Sequence, residues 1–376
     1  MGSSASMEKL SVDEQYIQRM LRDLLKIPSP TGYTDRIVHF VAHELERLGV
    51  AVALSRRGAI RVELKGRRDS PKCAIVSHLD TLGAMVTQLK PNGRLAVAPI
   101  GKWNSRFAEG ARVIVFTDHS GSKRGTIIPL KASGHIFDEE VDVQPSTWQN
   151  LEVRVDDPLE TAEDLAALGF QIGDFVSWDP SPEFFDNGFV VSRHLDDKAG
   201  VAAVLGAVKA VVESGVEIPV DCHVLFTVSE EVGTGASTAL HGEVAEMVAV
   251  DNATPGPKQA SREQGVTIAM MDSSGPFDYH LTHRLLALCQ EFGIEHQRDV
   301  FRTYRCDAAS AVEAGNDLRV ALVCFGVDAS HGYERTQMNA LISLSELLTL
   351  YIQTEPTRQR DREPLGPLSD FPTQPE

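Results

Sequence analysis

Apolar residues in the first fifty positions recur at the three- and four-residue spacing of an amphipathic helix. This spacing predicts one helix over residues 13–26 and a second over residues 35–48. Apolar runs near 50–54, 59–64 and 73–77 then predict three strands. Helices that alternate with strands are typical of an α/β domain.

The pattern changes after about residue 90, where short apolar runs alternate with glycine-containing turns. One short helix interrupts them, with Thr161 as its N-cap and Asp164 three residues later. The apolar runs are RLAVAPI, ARVIVFT, GTIIPL, LEVRV, DFVSW and GFVVS. Evenly spaced strands separated by glycine turns predict a small β-barrel or sandwich over residues 91–188.

From residue 189 the alternation of strands and helices returns, and the segment KAGVAAVLGAVKAVVES predicts a buried, almost wholly apolar helix. Further strands are predicted at 221–228, 247–250, 266–270 and 319–325, and further helices near 235–245, 276–292, 307–314 and 336–352. Residues 355–376 are rich in proline and charge, which predicts a disordered tail. The sequence therefore predicts an α/β domain made of residues 7–90 and 189–354, split by an inserted β-domain of residues 91–188.

Composition and charge exclude several kinds of partner. The 376 residues carry a net charge of −17, which argues against nucleic acids and anionic membranes as partners. No apolar run is long enough to span a bilayer, and the first twenty residues lack the apolar core of a signal peptide, so we expect a cytoplasmic protein. The opening MGSSAS is compatible with a native start and with a cloning scar.

The cysteines are odd in number, and no two of them have the CxxC spacing of a metal or redox motif. They are Cys73, Cys222, Cys289, Cys306 and Cys324. Three lie in apolar runs, so we expect small buried side chains in a reducing compartment. This usage argues against a disulfide framework and against a cysteine metal site.

Polar residues that commonly bind metals follow apolar runs at five places in the chain. Alone, several have a simpler explanation, since Asp196-Asp197 fits a helix cap and Glu230-Glu231 fits a solvated surface. The five motifs are His78-Leu79-Asp80, Asp196-Asp197, Glu230-Glu231, Asp251 and His331. Because ligands bind beyond the carboxyl ends of the strands in an open α/β sheet, we expect the five motifs to converge.

The chemistry of these residues favours a catalytic metal site. Imidazole and carboxylate donors without thiolates suit zinc, cobalt or manganese better than calcium, magnesium or a structural zinc site. The i, i+2 spacing of His78 and Asp80 on extended backbone places both side chains on one face, where the carboxylate can orient the imidazole. Adjacent Glu230 and Glu231 point apart, so one can bind metal while the other takes a proton from water. Two metals beside a free carboxylate are suited to hydrolysis of an amide.

The amino-acid sequences of the five motifs resemble the signature of family forty-two of the metallopeptidases. The matching stretches are His78-Leu79-Asp80, Leu195-Asp196-Asp197-Lys198, Glu230-Glu231-Val232-Gly233, Asp251 and Ser330-His331. This family contains the glutamyl, deblocking and tetrahedral (TET) aminopeptidases, and the resemblance runs from about Glu14 to Gln353. Within the family, the motif sequences are most similar to those of the subgroup associated with the osmoprotectant N-acetylglutaminylglutamine amide.

The resemblance implies both a fold and a role for each motif residue. The implied fold is phosphorylase/hydrolase-like, with helices on both faces of a mixed sheet and an inserted β-barrel used in oligomerisation. Two divalent ions, zinc before cobalt or manganese, would be held by two ligand sets that share Asp196. The first set is His78, Asp196 and Asp251, and the second is Asp196, Glu231 and His331. Glu230 would be the general base, and Asp80 would orient His78.

The chain departs from the family pattern at two places near these ligands. Asp197 stands where the family often has asparagine, and no second acid follows Asp251, which puts recognition of the substrate amine in doubt. His280 and His283 have the i, i+3 spacing of a helix and lack the strand-end context of a ligand. His194 lies two residues before Asp196, where packing is favoured over lining the site.

The resulting expectation is a metal-dependent aminopeptidase that acts on short peptides as a homo-oligomer. An amidase or deacylase acting on the osmolyte dipeptide amide is a first alternative, because the blocked N-terminus of that molecule excludes a strict free-amine enzyme. A catalytically silent scaffold that retains the fold is a second alternative, which the intact ligand set disfavours.

Overall fold

The computed structural model describes residues 7–240, 244–363 and 365–375. The strands are β1 (Val52–Leu54), β2 (Ile60–Leu64), β3 (Arg68–His78), β4 (Gly83–Leu89), β5 (Leu95–Ile100), β6 (Arg112–Phe116), β7 (Ser122–Pro129), β8 (Leu151–Val155), β9 (Phe175–Trp178), β10 (Glu183–Phe184), β11 (Phe189–Ser192), β12 (Val220–Thr227), β13 (Val244–Ala253), β14 (Val266–Asp272), β15 (Gly275–Pro276), β16 (His296–Val300), β17 (Arg319–Gly326) and β18 (Glu334–Gln337). The helices are α1 (Glu14–Leu25), α2 (Asp35–Arg47), α3 (Gly134–Phe137), α4 (Ala162–Ala167), α5 (Leu195–Ser214), α6 (Tyr279–Glu291), α7 (Asp307–Glu313) and α8 (Met338–Ile352). The expected α/β fold with an inserted barrel is confirmed.

A mixed sheet forms the centre of the α/β domain. Its strand order is β1-β2-β12-β3-β13-β17-β14-β15, with β16 paired to β14. The four central strands β12, β3, β13 and β17 are parallel, whereas β2 and β14 flank them in the antiparallel direction. Because parallel strands end at the same edge, residues that follow or end these four strands are brought together.

Helices cover both faces of this sheet, because alternate residues of each central strand point to opposite sides. Ile75 of β3 and Val248 of β13 belong to a core shared with α1, α2, α5, α6 and α8. Ala74 of β3 and Met247 of β13 face the other way, into a smaller core with the residues of α7. The central strands are thus buried on both faces, which explains their nearly continuous apolar runs.

Helix α5 is buried along most of its length, as its apolar sequence predicted. A Cβ added at Gly206 would lie 2.7 Å from the Ile17 side chain of α1. This close approach requires glycine, and it lets α1 pack directly against α5. Among the described residues, no helix has the length and apolar character needed to cross a membrane.

The inserted domain is a closed barrel with strand order β4-β5-β8-β7-β6-β9 and a core of its own. Its first strand starts at Gly83, earlier than the boundary at residue 91 that the sequence suggested. The run GFVVS forms β11, which pairs with β10 and β18 outside the barrel. Alternating polarity predicts a strand but does not show which sheet that strand joins, and this accounts for the difference.

Two segments of the α/β domain differ from the sequence-based expectation. The helix predicted near 235–245 is wrong, because a short 3-10 turn at Ala236–Thr238 is followed by β13 from Val244, with residues 241–243 outside the described part. Strand β16 was not predicted, because its sequence HQRDV lies at the sheet edge and is mostly polar. All five cysteines are buried, as their apolar contexts predicted.

Residues 355–363 lie against the α/β domain, in contrast to the disordered tail that their composition suggested. The Thr357 backbone and hydroxyl donate hydrogen bonds to Glu246 Oε2 at 2.9 and 2.7 Å. Arg319 of β17 pairs with Asp361 at 2.7 Å. Specific charge pairs therefore hold a segment whose proline and charge content gives it little apolar surface of its own.

Candidate active site

Four of the five motifs lie near the carboxyl ends of the central parallel strands. His78 is the last residue of β3, and Glu230 follows β12 by three residues. Asp251 lies inside β13, two residues before the end of the strand. The strand extends beyond residue 250, where the sequence predicted that it would end. His331 lies in the loop that leads from β17 to β18. The sheet therefore brings these four motifs to one edge.

Asp196 reaches the same place by a different route. It follows β11 of the small sheet and opens α5, where Asp196 and Asp197 have non-helical backbone angles. The backbone N–H groups of Leu195 and Asp196 donate to Glu334 Oε2 at 2.7 and 3.2 Å. Glu334 of β18 therefore fixes the turn that presents Asp196 to the site.

The structure brings the five predicted ligands together in two groups that share Asp196. Within each group, the potential ligand atoms lie within 4.8 Å of one another. One carboxylate oxygen of Asp196 lies 3.2 Å from His78 Nε2, and its other oxygen lies 3.3 Å from His331 Nε2. The groups are His78, Asp196 and Asp251, and Asp196, Glu231 and His331. Asp196 thus has one oxygen on each side, which is the arrangement a bridging carboxylate requires.

The electrostatics of this cluster fit bound divalent cations. Burial, reinforced by the Asp196 carboxylate, raises the pKa of Asp251 to about 7 and that of Glu231 to about 8. Burial lowers the pKa of His78, but hydrogen bonds with Asp196 and Asp80 outweigh this and hold it well above its usual value. Crowded carboxylates that keep protons in the absence of a cation can exchange those protons for metal. The mixed nitrogen and oxygen donors suit zinc, cobalt or manganese.

Glu230 lies beside the ligand groups and belongs to neither of them. Its Oε2 atom is 3.8 Å from His78 Nε2, and its side chain is 13% exposed. Burial, together with the negative charge of Asp251, raises the pKa of Glu230 well above its usual range. A buried carboxylate that has a raised pKa and borders the ligands can take up and release a proton.

Asp80 contacts the glutamate loop more directly than it contacts the imidazole. Its carboxylate accepts the backbone N–H of Glu230 at 3.1 Å and that of Glu231 at 3.3 Å, and the Thr31 hydroxyl donates to it at 2.6 Å. His78 Nδ1 lies 2.9 Å from the Asp80 backbone carbonyl and 3.5 Å from the carboxylate. A proton on Nδ1 would donate to that carbonyl and leave Nε2 free toward Asp196.

Asp197 lies behind the site and is fully buried. Its Oδ2 atom accepts the Ser77 hydroxyl and the His78 backbone N–H. A Cβ at Gly200 would lie 2.1 Å from Asp197 Oδ1, so only glycine fits at that position. Asp197 therefore positions the end of β3 and lies outside both ligand groups.

Sequence reasoning gave no role to three residues that support the site. Glu334 accepts the His331 backbone N–H at 2.8 Å in addition to its bonds at the start of α5. Asp307 accepts the Thr227 hydroxyl at 2.6 Å and the Ala236 N–H at 2.7 Å, which fixes both ends of the glutamate loop. Asn252 Nδ2 donates to Asp196 Oδ2 at 2.7 Å. Apart from the bond between His331 and Glu334, these bonds join distant parts of the chain, so no local motif predicts them.

The other histidines considered lie outside both ligand groups, as expected. His194 packs near the site, where burial and the nearby Lys198 lower its pKa to about 3. His283 stacks on Tyr279 of α6 with ring centres 3.8 Å apart, and His280 contacts Arg358.

The ligand groups open into a cleft of about 710 Å³. Lys102, on the loop that follows β5 of the barrel, lines one part of it, and Tyr304 and Arg305 line another. Among the described residues that line the cleft, the carboxylates are Asp196, Glu230, Glu231 and Asp251. The barrel therefore contributes to the wall of the cleft, and every acid in that wall belongs to the ligand groups or borders them.

Comparisons with known proteins identify a family and relatives of this chain. The family model of the M42 glutamyl aminopeptidases matches residues 58–347. A putative aminopeptidase of Bacillus subtilis, YhfE, is 34% identical over 335 residues, which cover 89% of this chain and 96% of the relative. The glutamyl aminopeptidase of Lactococcus lactis is 24% identical over 57% of this chain and 59% of its own length.

Solved structures of TET peptidases share the fold. A TET aminopeptidase from a marine sediment Thaumarchaeota archaeon has a TM-score of 0.82 at 18% identity, with 90% of this chain and 96% of the other covered. The TET1 peptidase of Pyrococcus horikoshii has a TM-score of 0.79 at 24% identity, with 89% and 99% covered. The chain therefore belongs to the M42 glutamyl aminopeptidase family and is a hydrolase that acts on peptide bonds.

Proposed function

We propose that the protein is a dinuclear metal-dependent aminopeptidase that removes N-terminal residues from short peptides, with Glu230 as the general base. One observation carries this proposal. Two ligand groups share Asp196, and a buried carboxylate stands beside them without belonging to either. A single metal would not need two groups, and a purely structural metal site would not need the additional carboxylate.

In the proposed site, His78, Asp196 and Asp251 hold one ion, and Asp196, Glu231 and His331 hold the other. Metal bound by these residues would supply Lewis-acid chemistry, which would lower the pKa of water and polarise the carbonyl group of the scissile amide. Zinc is the proposed native metal, with cobalt and manganese as substitutes that the same donors accept.

Glu230 carries the proton in this mechanism. It takes a proton from the attacking water and gives it to the nitrogen of the leaving amine as the C–N bond breaks. The position of its carboxylate suits both steps, because it borders the ligand groups while its side chain is only 13% exposed. Asp80 positions the glutamate loop through the backbone of Glu230 and Glu231.

We further propose that copies of the chain associate through the barrel. The P. horikoshii TET1 peptidase can assemble into a tetrahedron or a large octahedral shell. In this chain, Ile136 and Val143 lie on the long connection between β7 and β8 and are 77% and 75% exposed. Large apolar side chains that protrude from one segment favour contact with another subunit.

A second candidate function is an amidase or deacylase that acts on the N-acetylated osmolyte dipeptide amide. It is favoured by the chemistry of the cleft wall, where Asn252 and Thr254 follow Asp251. Among the described residues of that wall, no carboxylate beyond the ligand groups and Glu230 is available to bind a substrate ammonium. Comparing free and N-acetylated glutaminyl-glutamine separates the two functions, because only the aminopeptidase requires the free amine.

The proposed activity is tested by removing metal with a chelator and then restoring zinc, cobalt or manganese. We expect release of N-terminal residues from short peptides by the restored protein and none by the stripped protein. Equal hydrolysis by the two preparations would refute the proposal. A protein that takes up no metal under metal-replete conditions would instead support the silent scaffold.

A further inference from the structure

A pocket of about 410 Å³ lies outside the cleft that contains the ligand groups. It lies between the end of β16 and the loop that connects β13 to β14, and none of its described lining residues also lines the cleft. The connecting loop separates the two spaces, because Thr254 lines the cleft and Pro257 lines the pocket. The volume of the pocket is in the range of small-molecule sites in proteins. The pocket is therefore a candidate binding site that the proposed peptidase chemistry does not use.

Three cationic side chains line this pocket without a partner. They are the exposed side chains of Lys258, Arg298 and Arg302, and within the described part of the chain none of the three forms an ion pair or a hydrogen bond. The chain as a whole has a net charge of −17, so acidic side chains are abundant elsewhere. Three unpaired cations around one concave surface produce a local positive potential, which attracts an anion.

The carboxylate in the described wall of the pocket belongs to Asp299, and both of its oxygens already accept hydrogen bonds. Oδ2 accepts the backbone N–H of Ser261 at 2.8 Å and the hydroxyl of Ser261 at 2.5 Å, and Oδ1 accepts the backbone N–H of Val300 at 2.8 Å. Asp299 thus fastens the connecting loop to β16 and is buried. Three cations and this one carboxylate give the described wall a net charge of +2.

Lys258 occupies a backbone position that favours glycine or asparagine. It has a φ of +71° and is the third residue of a tight turn, 256–259, in which the Gln259 N–H donates to the Gly256 carbonyl at 3.0 Å. The Gln259 side chain donates to the Val300 carbonyl at 3.2 Å, which fixes the turn against β16. A lysine held in a conformation that lysine rarely adopts indicates that its position beside the pocket is used.

We propose that this pocket binds a phosphate group, either as the free ion or as part of a small phosphate ester. A phosphate monoester carries a charge of about −1.5 to −2 near neutral pH, which matches the charge of the wall, whereas a single carboxylate balances only half of it. The guanidinium groups of Arg298 and Arg302 can each donate paired N–H groups to phosphate oxygens, and Lys258 adds a point charge. Met270 also lines the pocket and supplies apolar surface for the organic part of an ester.

Calorimetric titration of the zinc-loaded protein with glycerol phosphate, inorganic phosphate and acetate tests the proposal. We expect one phosphate compound to bind per chain, and acetate to bind at least about tenfold more weakly. Tighter binding of glycerol phosphate than of inorganic phosphate would identify an ester as the ligand, and equal or weaker binding would identify the free ion. Acetate that binds as tightly as both phosphate compounds would overturn the proposal, because the pocket would then not recognise phosphate.

Substitution of the two arginines locates the site. Arg298→Gln together with Arg302→Gln is expected to weaken phosphate binding at least about tenfold, and the corresponding pair of lysine substitutions should restore part of the affinity because the charge is kept. The matched control is Arg36→Gln together with Arg57→Gln, which removes two exposed arginines that lie outside the pocket. At constant ionic strength the control should bind phosphate as the wild type does. An equal loss in both double variants, or no loss in either, would overturn the pocket.

Removal of metal separates this pocket from the ligand groups, because phosphate can also bind to a metal ion. The same titration of metal-stripped protein should give an unchanged affinity if the cations of the pocket bind the phosphate. Binding that disappears with the zinc would assign the phosphate to the metals and overturn the proposal. Thermal unfolding without phosphate should give the same Tm for the wild type and both double variants, since the substituted arginines have no described partner. The result does not depend on whether the protein hydrolyses peptides.

Discussion

Two buried clusters of charge in this chain are built in opposite ways. In the barrel, the side chain of Glu152 is 2% exposed and forms ion pairs with Lys90 and Arg94. Burial raises the pKa of Glu152, but the hydrogen bonds with the two cations outweigh it, so the pKa lies below its usual value. A structural acid in this chain is therefore neutralised by the chain itself.

In the proposed metal site, the carboxylates have no such partner. No described lysine or arginine forms an ion pair with Asp196, Glu230, Glu231 or Asp251, and histidines are the cations nearby. Burial and mutual repulsion raise the pKa of Glu231 to about 8. A cluster of buried acids that no described lysine or arginine neutralises is arranged to accept a cation from outside.

The largest expected effect on activity comes from changing Glu230, the carboxylate that lies outside both ligand groups. Glu230→Gln keeps the shape of the side chain but removes the proton acceptor, so kcat should fall by about 10²–10⁴-fold. Steady-state kinetics measure this loss, and elemental analysis should find the same metal content as in the wild type. As a matched control, Glu231→Gln is expected to lose metal as well as activity. Near-normal kcat in the Glu230 variant would remove it from its proposed role.

A smaller effect is expected from the acid that holds the glutamate loop. Asp80→Asn leaves one acceptor oxygen for the hydrogen bonds of Glu230, Glu231 and Thr31, so the loop loses part of its support. We expect activity to fall about 10–100-fold, with kcat affected more than KM. Thr31→Val removes a single hydrogen bond to the same carboxylate and should cost less. An Asp80→Asn variant as active as the wild type would contradict the role of Asp80 in positioning the glutamate loop.

The smallest effect on activity is expected in the barrel. Glu152→Gln removes the negative charge and one of the two acceptor oxygens that Lys90 and Arg94 use, so the free energy of unfolding should fall by about 1–2 kcal/mol while kcat per folded site is unchanged. Because the folded pKa of Glu152 is lowered, its stabilisation is present above its unfolded pKa of about 4.3 and is lost as pH falls through the folded pKa.

Denaturant unfolding of wild type and Glu152→Gln at several pH values measures this effect. The stability gap should be full at neutral pH and should narrow below about pH 4. A gap that stays constant into acid, or a loss of metal in the variant, would mean that the two clusters are not distinct in the way described.

Residues in local motifs could be predicted from the sequence, whereas residues that act through long-range contacts could not. His78, Asp196, Glu230 and Glu231 were identifiable because each lies in a short motif beside an apolar run. Glu334 acts at a distance, through backbone groups of residues more than a hundred positions earlier, and no local pattern signals that contact.

Among the elements, the buried parallel strands were the most predictable, because their apolar runs are continuous. Polar β16 was missed at the sheet edge, where packing against β14 overrides a weak pattern. The helix expected near residue 240 was wrong for a related reason, since Asp307 and Ser310 hold the Ala236 backbone in a tight turn. In each case a tertiary contact decided the local structure.

The most direct test of the central claim is the metal content of the purified chain after loading with zinc and exhaustive dialysis. The account predicts two tightly bound ions per chain in the wild type, and neither of them in Asp196→Ala, because Asp196 is common to both ligand groups. Asp156→Ala, which removes a barrel aspartate paired with Arg112, should keep both ions. A wild-type chain that binds no zinc, or an Asp196→Ala chain that still binds two ions, would contradict the account.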